Sequence, residues 1–308
     1  MSQETTNNPL LCDPKQGVCE VPTVATTGEI TTTDSHTEKP IKIVYFTDPI
    51  CSSCWGIEPQ LRRMKMEYGD YIDIEYCMGG LLPSWEGFNG GGISKPSDVY
   101  HHWEEVSHYY GMPIIGDVWL KDPLPSSYPP SIAFKAAQMQ DSDKAILFLR
   151  RLREMVFVEA KNITRAEWIA EAATWAGLNA EQIESESKDK GRLLFEQDLL
   201  KASQLGVRGF PTLLFSDANG NRLTVYGARG YEEFEGCIKR LAPEAEPSSQ
   251  NSDAITYFNP FASLTAKELS ILNRSTLEAS ISVLEELEKT GKTIAVKTKN
   301  GTLWRTKP

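Results

Sequence analysis

The sequence predicts an α/β fold in which a block of helices interrupts a small strand-and-helix core. Three observations predict it. Strand-like runs of β-branched and aromatic residues stand at 41–46, 71–78, 212–215 and 223–226. Between the second and third of these, from about Ser97 to Gly206, the apolar period is that of a helix. Beyond residue 258 a shorter helical pattern returns and ends in the hairpin signal Asn300-Gly301.

Taken in order, residues 1–40 read as a flexible arm, rich in Thr, Pro and Asn and without periodicity. Ile41-Lys42-Ile43-Val44-Tyr45-Phe46 is a buried strand bounded by Pro40 and by Asp48-Pro49. Cys51-Ser52-Ser53-Cys54-Trp55 then opens a helix whose apolar face is Ile57, Leu61, Met64 and Tyr68, closed by Gly69. A second strand runs from Tyr71 to Met78, and Gly79-Gly80 ends it. In the helical block, Ser97 is the expected cap of a helix reaching Tyr110 and stopped by Gly111, and long helices are expected over 131–160. Thr164 and Glu167 have capping-box spacing for a helix ending at Gly177, and a further helix over 190–205 ends at Gly206. Val207-Arg208-Gly209-Phe210-Pro211 leads into the apolar run Thr212 to Phe215. Asn219-Gly220 marks a turn, Leu223 to Tyr226 returns, and a helix over Tyr231 to Leu241 closes the unit.

Removing the helical block leaves βαβ followed by ββα, which is the thioredoxin core. The expected organisation is therefore an arm (1–40), a thioredoxin-like core (41–92 and 190–241), a helical insertion (93–189), a linker (242–258) and a small winged-helix-like module (259–308). The chain has 308 residues and a formal net charge of -10, which argues against a general nucleic-acid binder. No run of about eighteen apolar residues stands in it, so no membrane span is expected. The first thirty residues lack a basic start and an apolar core, so no secretory signal is expected and the expected location is the cytoplasm.

Six cysteines are present, and in a reducing compartment they are not a structural disulfide framework. Cys51 and Cys54 have the two-residue spacing and the strand-to-helix context of a redox dithiol. The thiolate is the nucleophile in disulfide exchange, and a helix N-terminus favours negative charge, so Cys51 is the expected attacking thiol. Cys54, one turn on, is the expected resolving thiol. A four-cysteine zinc site with Cys12 and Cys19 competes with this reading, but six residues separate those two where zinc pairs have two to four. The chemistry implies no metal, nucleotide or other cofactor. Cys12 and Cys19 flank a turn-rich stretch; they are either an internal substrate or electron relay for Cys51, or exposed thiols without a role. Pro211 begins a strand that should lie beside Cys51, either as an ordinary trans proline or as a cis proline turning the Phe210 backbone outward to pair with a client strand. Phe210 and Trp55 are the expected client-binding residues. His101, Glu105 and His108 share one helix face, which suits a metal or, more simply, solvent. Cys77 and Cys237 read as buried free thiols, and Trp85, Trp103 and Trp119 as core or as the wall of a groove.

Asp48-Pro49-Ile50-Cys51-Ser52-Ser53-Cys54-Trp55-Gly56, Met78-Gly79-Gly80-Leu81 and Gly206-Val207-Arg208-Gly209-Phe210-Pro211-Thr212 together resemble the DsbA/FrnE-like predicted disulfide isomerases. That resemblance covers roughly residues 41–241. It implies a thioredoxin fold with an inserted helical domain, Cys51 as nucleophile, Cys54 as resolving thiol, a cis Pro211, and Pro59 as the helix-kinking proline. The expected function is thiol–disulfide oxidoreductase or isomerase, with protein or peptide thiols and disulfides as clients. Gly116-Asp117-Val118-Trp119, Ala133-Phe134-Lys135-Ala136-Ala137, Lys161-Asn162-Ile163-Thr164 and Trp304-Arg305 resemble a second family, the YjbH adaptors. Those thioredoxin-like proteins deliver the regulator Spx to the ClpXP protease, and the resemblance implies an adaptor instead of an enzyme. A glutathione-dependent isomerase on the same fold is a further alternative, although relatives of that kind typically carry serine at the position of Cys51.

In the last fifty residues, Thr265 with Glu268 forms a capping box and Leu264 with Leu269 a hydrophobic staple. A second helix is expected from Ser275 with Leu277, Ile281, Leu284 and Leu287 inward, ended by Gly291, and a hairpin follows over 293–306. Glu278, Glu285, Glu286 and Glu288 on the second helix would repel phosphates, so the module is expected to touch protein. The basic hairpin (Lys292, Lys297, Lys299, Arg305, Lys307) suits an acidic partner, which includes this chain's own acidic body or a second copy in a homodimer. A passive stabilising appendage is the alternative.

Overall fold

The computed structural model describes residues 12–13, 18–20, 39–86, 93–249 and 253–307, so most of the expected N-terminal arm lies outside the described residues. Two short strands come first, β1 (Cys12–Asp13) and β2 (Val18–Glu20). β3 (Ile41–Thr47) then leads into α1 (Ser52–Gly56), α2 (Glu58–Tyr68) and β4 (Ile72–Met78). α1 and α2 are one helical run broken at Ile57; Pro59 lacks the N–H that would continue the ladder to the Trp55 carbonyl. The helical block comprises α3 (Pro96–Tyr110), α4 (Val118–Lys121), α5 (Tyr128–Gln140), α6 (Ser142–Phe157), α7 (Ala166–Trp175), α8 (Ala180–Ser187) and α9 (Lys190–Gln204). The chain returns through β5 (Gly209–Phe210), β6 (Thr212–Asp217), β7 (Arg222–Tyr226) and α10 (Tyr231–Leu241).

The core sheet has the order β4-β3-β6-β7. β3 pairs in parallel with β4, Ile41 against Ile72, and antiparallel with β6, Ile41 against Asp217. This is the expected βαβ plus ββα arrangement, a thioredoxin-like sheet. β3 is central because Ile41, Ile43, Tyr45 and Phe46 are all fully buried, as a strand covered on both faces requires. The insertion is locked to the sheet by polar anchors: Asp198 on α9 accepts the Met78 amide at 2.7 Å and pairs with Lys135 on α5 at 3.0 Å.

A 3-10 turn at Ala254–Tyr257 and α11 (Phe258–Phe261) open the last part, followed by β8 (Ser263–Thr265), α12 (Ala266–Leu272), α13 (Leu277–Lys289), β9 (Thr293–Thr298) and β10 (Gly301–Thr306). The order strand, helix, helix, strand, strand and the sheet β8-β10-β9 match a winged helix. Its small core includes Leu264, Leu269, Leu272, Leu284 and Trp304. The Thr265–Glu268 capping box forms in both directions. β8 was not foreseen, because three residues bracketed by helix-start signals carry no strand period.

Some expected helix starts move. α3 begins at Pro96, and Asp98, not Ser97, stabilises its start by accepting the Ser94 and Lys95 amides at 2.9 and 3.2 Å. The Thr164–Glu167 capping box does not form: the Asn162 carboxamide takes both the Thr164 amide and its hydroxyl, and α7 starts after Arg165. α13 is capped by Thr276, one residue later than expected. His101, Glu105 and His108 lie exposed on α3, which is the solvated-face reading. Cys77 and Cys237 are buried free thiols. Among the described residues, no helix is long and apolar enough to cross a membrane.

Candidate functional site

The site lies where β3 ends and α1 begins. Asp48 fixes the turn: one carboxylate oxygen accepts the Ile50 amide at 3.0 Å, and the other accepts the Leu81 amide and the Ser127 hydroxyl, each at 2.8 Å. Cys51 is the N-cap of α1, and its Sγ accepts the Cys54 amide at 3.2 Å. The expected helix-start position of Cys51 is therefore present. Ser53, between the cysteines, shares a 2.7 Å hydrogen bond with the Tyr110 hydroxyl of α3. Phe210–Pro211 is a cis peptide. The Phe210 ring fills the space a side chain on Gly79 would need, since a Cβ there would stand 1.7 Å from its Cζ.

Electrostatics depart from the sequence expectation. Both cysteines are fully buried. Burial, then hydrogen bonding with the Cys54 sulfur, pushes the Cys51 thiol well above its ordinary value, and these outweigh the Cys54 amide. Burial raises Cys54 too. The Cys51 thiol, the Arg153 guanidinium, the Thr47 hydroxyl and the Asp48 backbone together outweigh it and bring Cys54 below the ordinary thiol value. Of the two thiols, Cys54 is the more acidic. A helix N-terminus alone could not predict this, because the desolvation of a fully buried thiol exceeds what the helix end supplies.

Arg153 is a site residue that sequence reading missed. It donates to Thr47 Oγ1, to the Asp48 carbonyl at 3.3 Å and to Glu58. The signal was present: Arg150, Arg151 and Arg153 interrupt an otherwise apolar helix, and all three are buried. Glu58 is the head of a buried charge network. Arg62 stands 3.8 Å from Glu58 and 3.2 Å from Glu268, and Arg150 stands 2.8 Å from Glu268 and 3.0 Å from Glu154. Glu268 belongs to α12, so the C-terminal module supplies a carboxylate to the network that reaches the dithiol. Its basic hairpin docks on the chain's own acidic body: Lys299 pairs with Glu104 and Asp117, and Arg305 with Glu154 and Glu159.

Trp55, expected to bind a client, sits in the core. It is fully buried, donates to the Pro113 carbonyl at 3.2 Å, stacks on Phe157 and carries the Arg150 guanidinium 4.2 Å above its ring. The ring contacts continue through Trp103 and Trp119, which are buried in the core, to the half-buried Trp85 packed against them. The Phe210 side chain is likewise fully buried, and only its backbone is turned to another strand, β2. β1 and β2 place Cys12 and Cys19 as paired positions of a hairpin, and β2 lies beside α1. Side-chain detail for those two cysteines lies outside the described residues.

Asp48 gives a pH-dependent prediction. Burial raises its carboxyl from 3.8 to about 6 against the hydrogen bonds it accepts. The folded chain thus keeps the proton to higher pH than the unfolded chain, so this group's stabilisation is full below pH about 4 and is lost as pH rises through about 6. The change corresponds to about 3 kcal/mol. Asp48→Asn is expected to remove that component: the difference in urea midpoint between variant and wild type should change between pH 4 and pH 7. A constant difference would show that Asp48 does not titrate there.

A family model described as thioredoxin matches residues 45–236. The chain belongs to the thioredoxin family. Its curated relatives include a "ClpXP adapter protein SpxH" from Halalkalibacterium halodurans, 29% identical over 96% of each chain. A protein of the same name from Bacillus subtilis is 26% identical over 88% of this chain and 90% of its own length. Among solved structures, the cytosolic disulfide reductase DsbM from Pseudomonas aeruginosa superimposes with a TM-score of 0.53 at 24% identity, covering 65% of this chain and all of that one. Both families that the sequence resembles are thus represented.

Proposed function

We propose that this chain is a protein adaptor built on a thioredoxin core, which captures a regulator and presents it to the ClpXP protease. The observation that carries this reading is coverage. Adapter relatives from Halalkalibacterium halodurans and Shouchella clausii each match 96% of the chain, whereas the family match ends at residue 236 and the reductase covers 65%. The part beyond the thioredoxin match is built into the body by buried ion pairs and is thus integral to the protein. The burial of Cys51 and its raised pKa also suit a docking scaffold better than a catalyst that must expose a thiolate. A cytoplasmic location belongs to the same proposal.

A second reading, dithiol–disulfide exchange with Cys51 attacking and Cys54 resolving, is favoured by one observation: the N-capped Cys-x-x-Cys beside Arg153. In this proposal the exchange modulates the adaptor and is not its main work. The test is degradation of purified Spx by purified ClpXP. Addition of the chain should accelerate proteolysis at sub-stoichiometric amounts, while its insulin-reduction rate stays near background. Rapid insulin reduction without any effect on proteolysis would return the enzyme reading to first place.

A further inference from the structure

The edge of β5 beside Pro211 is occupied. β2 pairs antiparallel with it, Cys19 against Phe210 and Glu20 against Gly209, and β1 pairs in turn with β2, Cys12 against Cys19 and Asp13 against Val18. The result is a three-stranded sheet, β1-β2-β5, separate from the core sheet, with β2 against α1. β5 offers two residues of backbone, Gly209 and Phe210, and Pro211 has no N–H to extend the ladder. A strand edge of that length takes one extended segment at a time.

We propose that the chain's own strands β1 and β2 are an autoinhibitory occupant of the Gly209–Phe210 edge, which an extended client segment must displace. Three observations support it together. The pairing is antiparallel and in register at both β5 residues, as strand addition requires. The hairpin is tethered through residues 21–38, so it competes with any client as an intramolecular ligand at high effective concentration. β2 lies against α1, whose N-cap Cys51 is fully buried. An external client must therefore offer an extended segment that displaces β2, and it gains the Gly209 and Phe210 backbone groups and access to α1 by doing so. The inference concerns the edge and its occupant, whatever the client.

The test uses the full chain. Cys19→Pro/Glu20→Pro removes two successive strand N–H groups, one toward each neighbour of β2. Cys12→Ser/Cys19→Ser removes the hairpin thiols and keeps the backbone. Hydrogen exchange is read on the peptide containing Gly209 and Phe210, and iodoacetamide alkylation of Cys51 by peptide mapping. The double proline variant should exchange and alkylate faster by about tenfold, the scale of one or two lost net backbone hydrogen bonds. The double serine variant should keep wild-type exchange. A synthetic peptide of residues 11–21 added to the proline variant should restore protection. Unchanged exchange and alkylation in the proline variant would overturn the proposal, as would equal acceleration in the serine variant. Neither readout depends on Spx or ClpXP, so failure here is distinct from failure of the adaptor reading.

Discussion

Glu268→Ala is expected to destabilise the fold by about 3–5 kcal/mol, the scale of removing one partner from a buried ion pair. Glu268 is fully buried on the first turn of α12 and holds two guanidiniums, Arg150 through both carboxylate oxygens and Arg62 at 3.2 Å. Its loss leaves the buried cations Arg62, Arg150 and Arg153 against only Glu58 and Glu154 at the centre of the network. It also removes the acceptor of the Thr265 amide, ending the capping box. The effect should be felt across the molecule, because Arg62 and Arg150 sit on α2 and α6 and the carboxylate on the C-terminal module. Urea denaturation at neutral pH measures it. Glu285→Ala on exposed α13 is the control and should move the midpoint little. A loss of under 1 kcal/mol for Glu268→Ala would mean that the module is not anchored by charge.

Gly79→Ala should cost about 1–3 kcal/mol or more by overpacking, and its reach extends to the docking edge. A Cβ at 79 would overlap the Phe210 ring at its Cζ and both Cε atoms, at 1.7 to 2.4 Å. The ring cannot simply swing away, since it is fully buried. Displacing it moves β5 and the start of β6, so hydrogen exchange at Gly209 and Phe210 should quicken along with the loss of stability. Shortening the ring makes room: Gly79→Ala/Phe210→Leu should be more stable than the sum of the two single changes predicts, with a coupling of 0.5–3 kcal/mol. Strict additivity would show that the two residues do not contact in solution.

What could be read from the sequence followed locality. The capping box at Thr265–Glu268 and the Asn300-Gly301 hairpin are encoded within a few residues, and the structure has both. The Thr164–Glu167 pattern is just as local, yet it fails because Asn162, two residues upstream of Thr164, offers its hydroxyl and amide a nearer partner. The position of Cys51 was legible because a strand running into Cys-x-x-Cys and a helix leaves it one place to be. Its titration was not, because burial comes from parts of the chain distant in sequence. The burial of Trp55 is hidden for the same reason: nothing adjacent to it announces that Pro113, Phe157 and Arg150 surround it. The buried charge network was visible only as arginines out of pattern in α6. Their partners, Glu58 and Glu268, lie about a hundred residues away on either side.

In the proposed function the dithiol-bearing face serves capture and delivery of a regulator, and not turnover of disulfides. This role is tested most directly by the initial rate of Spx degradation by purified ClpXP, with wild type and with Cys51→Ser/Cys54→Ser compared at equal sub-stoichiometric concentration under reducing conditions. Both proteins should accelerate degradation, and the variant should keep at least about half of the stimulation, since serine at 51 still offers an N-cap acceptor to the amide of residue 54. A variant that folds with the wild-type midpoint and gives no stimulation at all would contradict it, and would place the chemistry of the two thiols at the centre of the function.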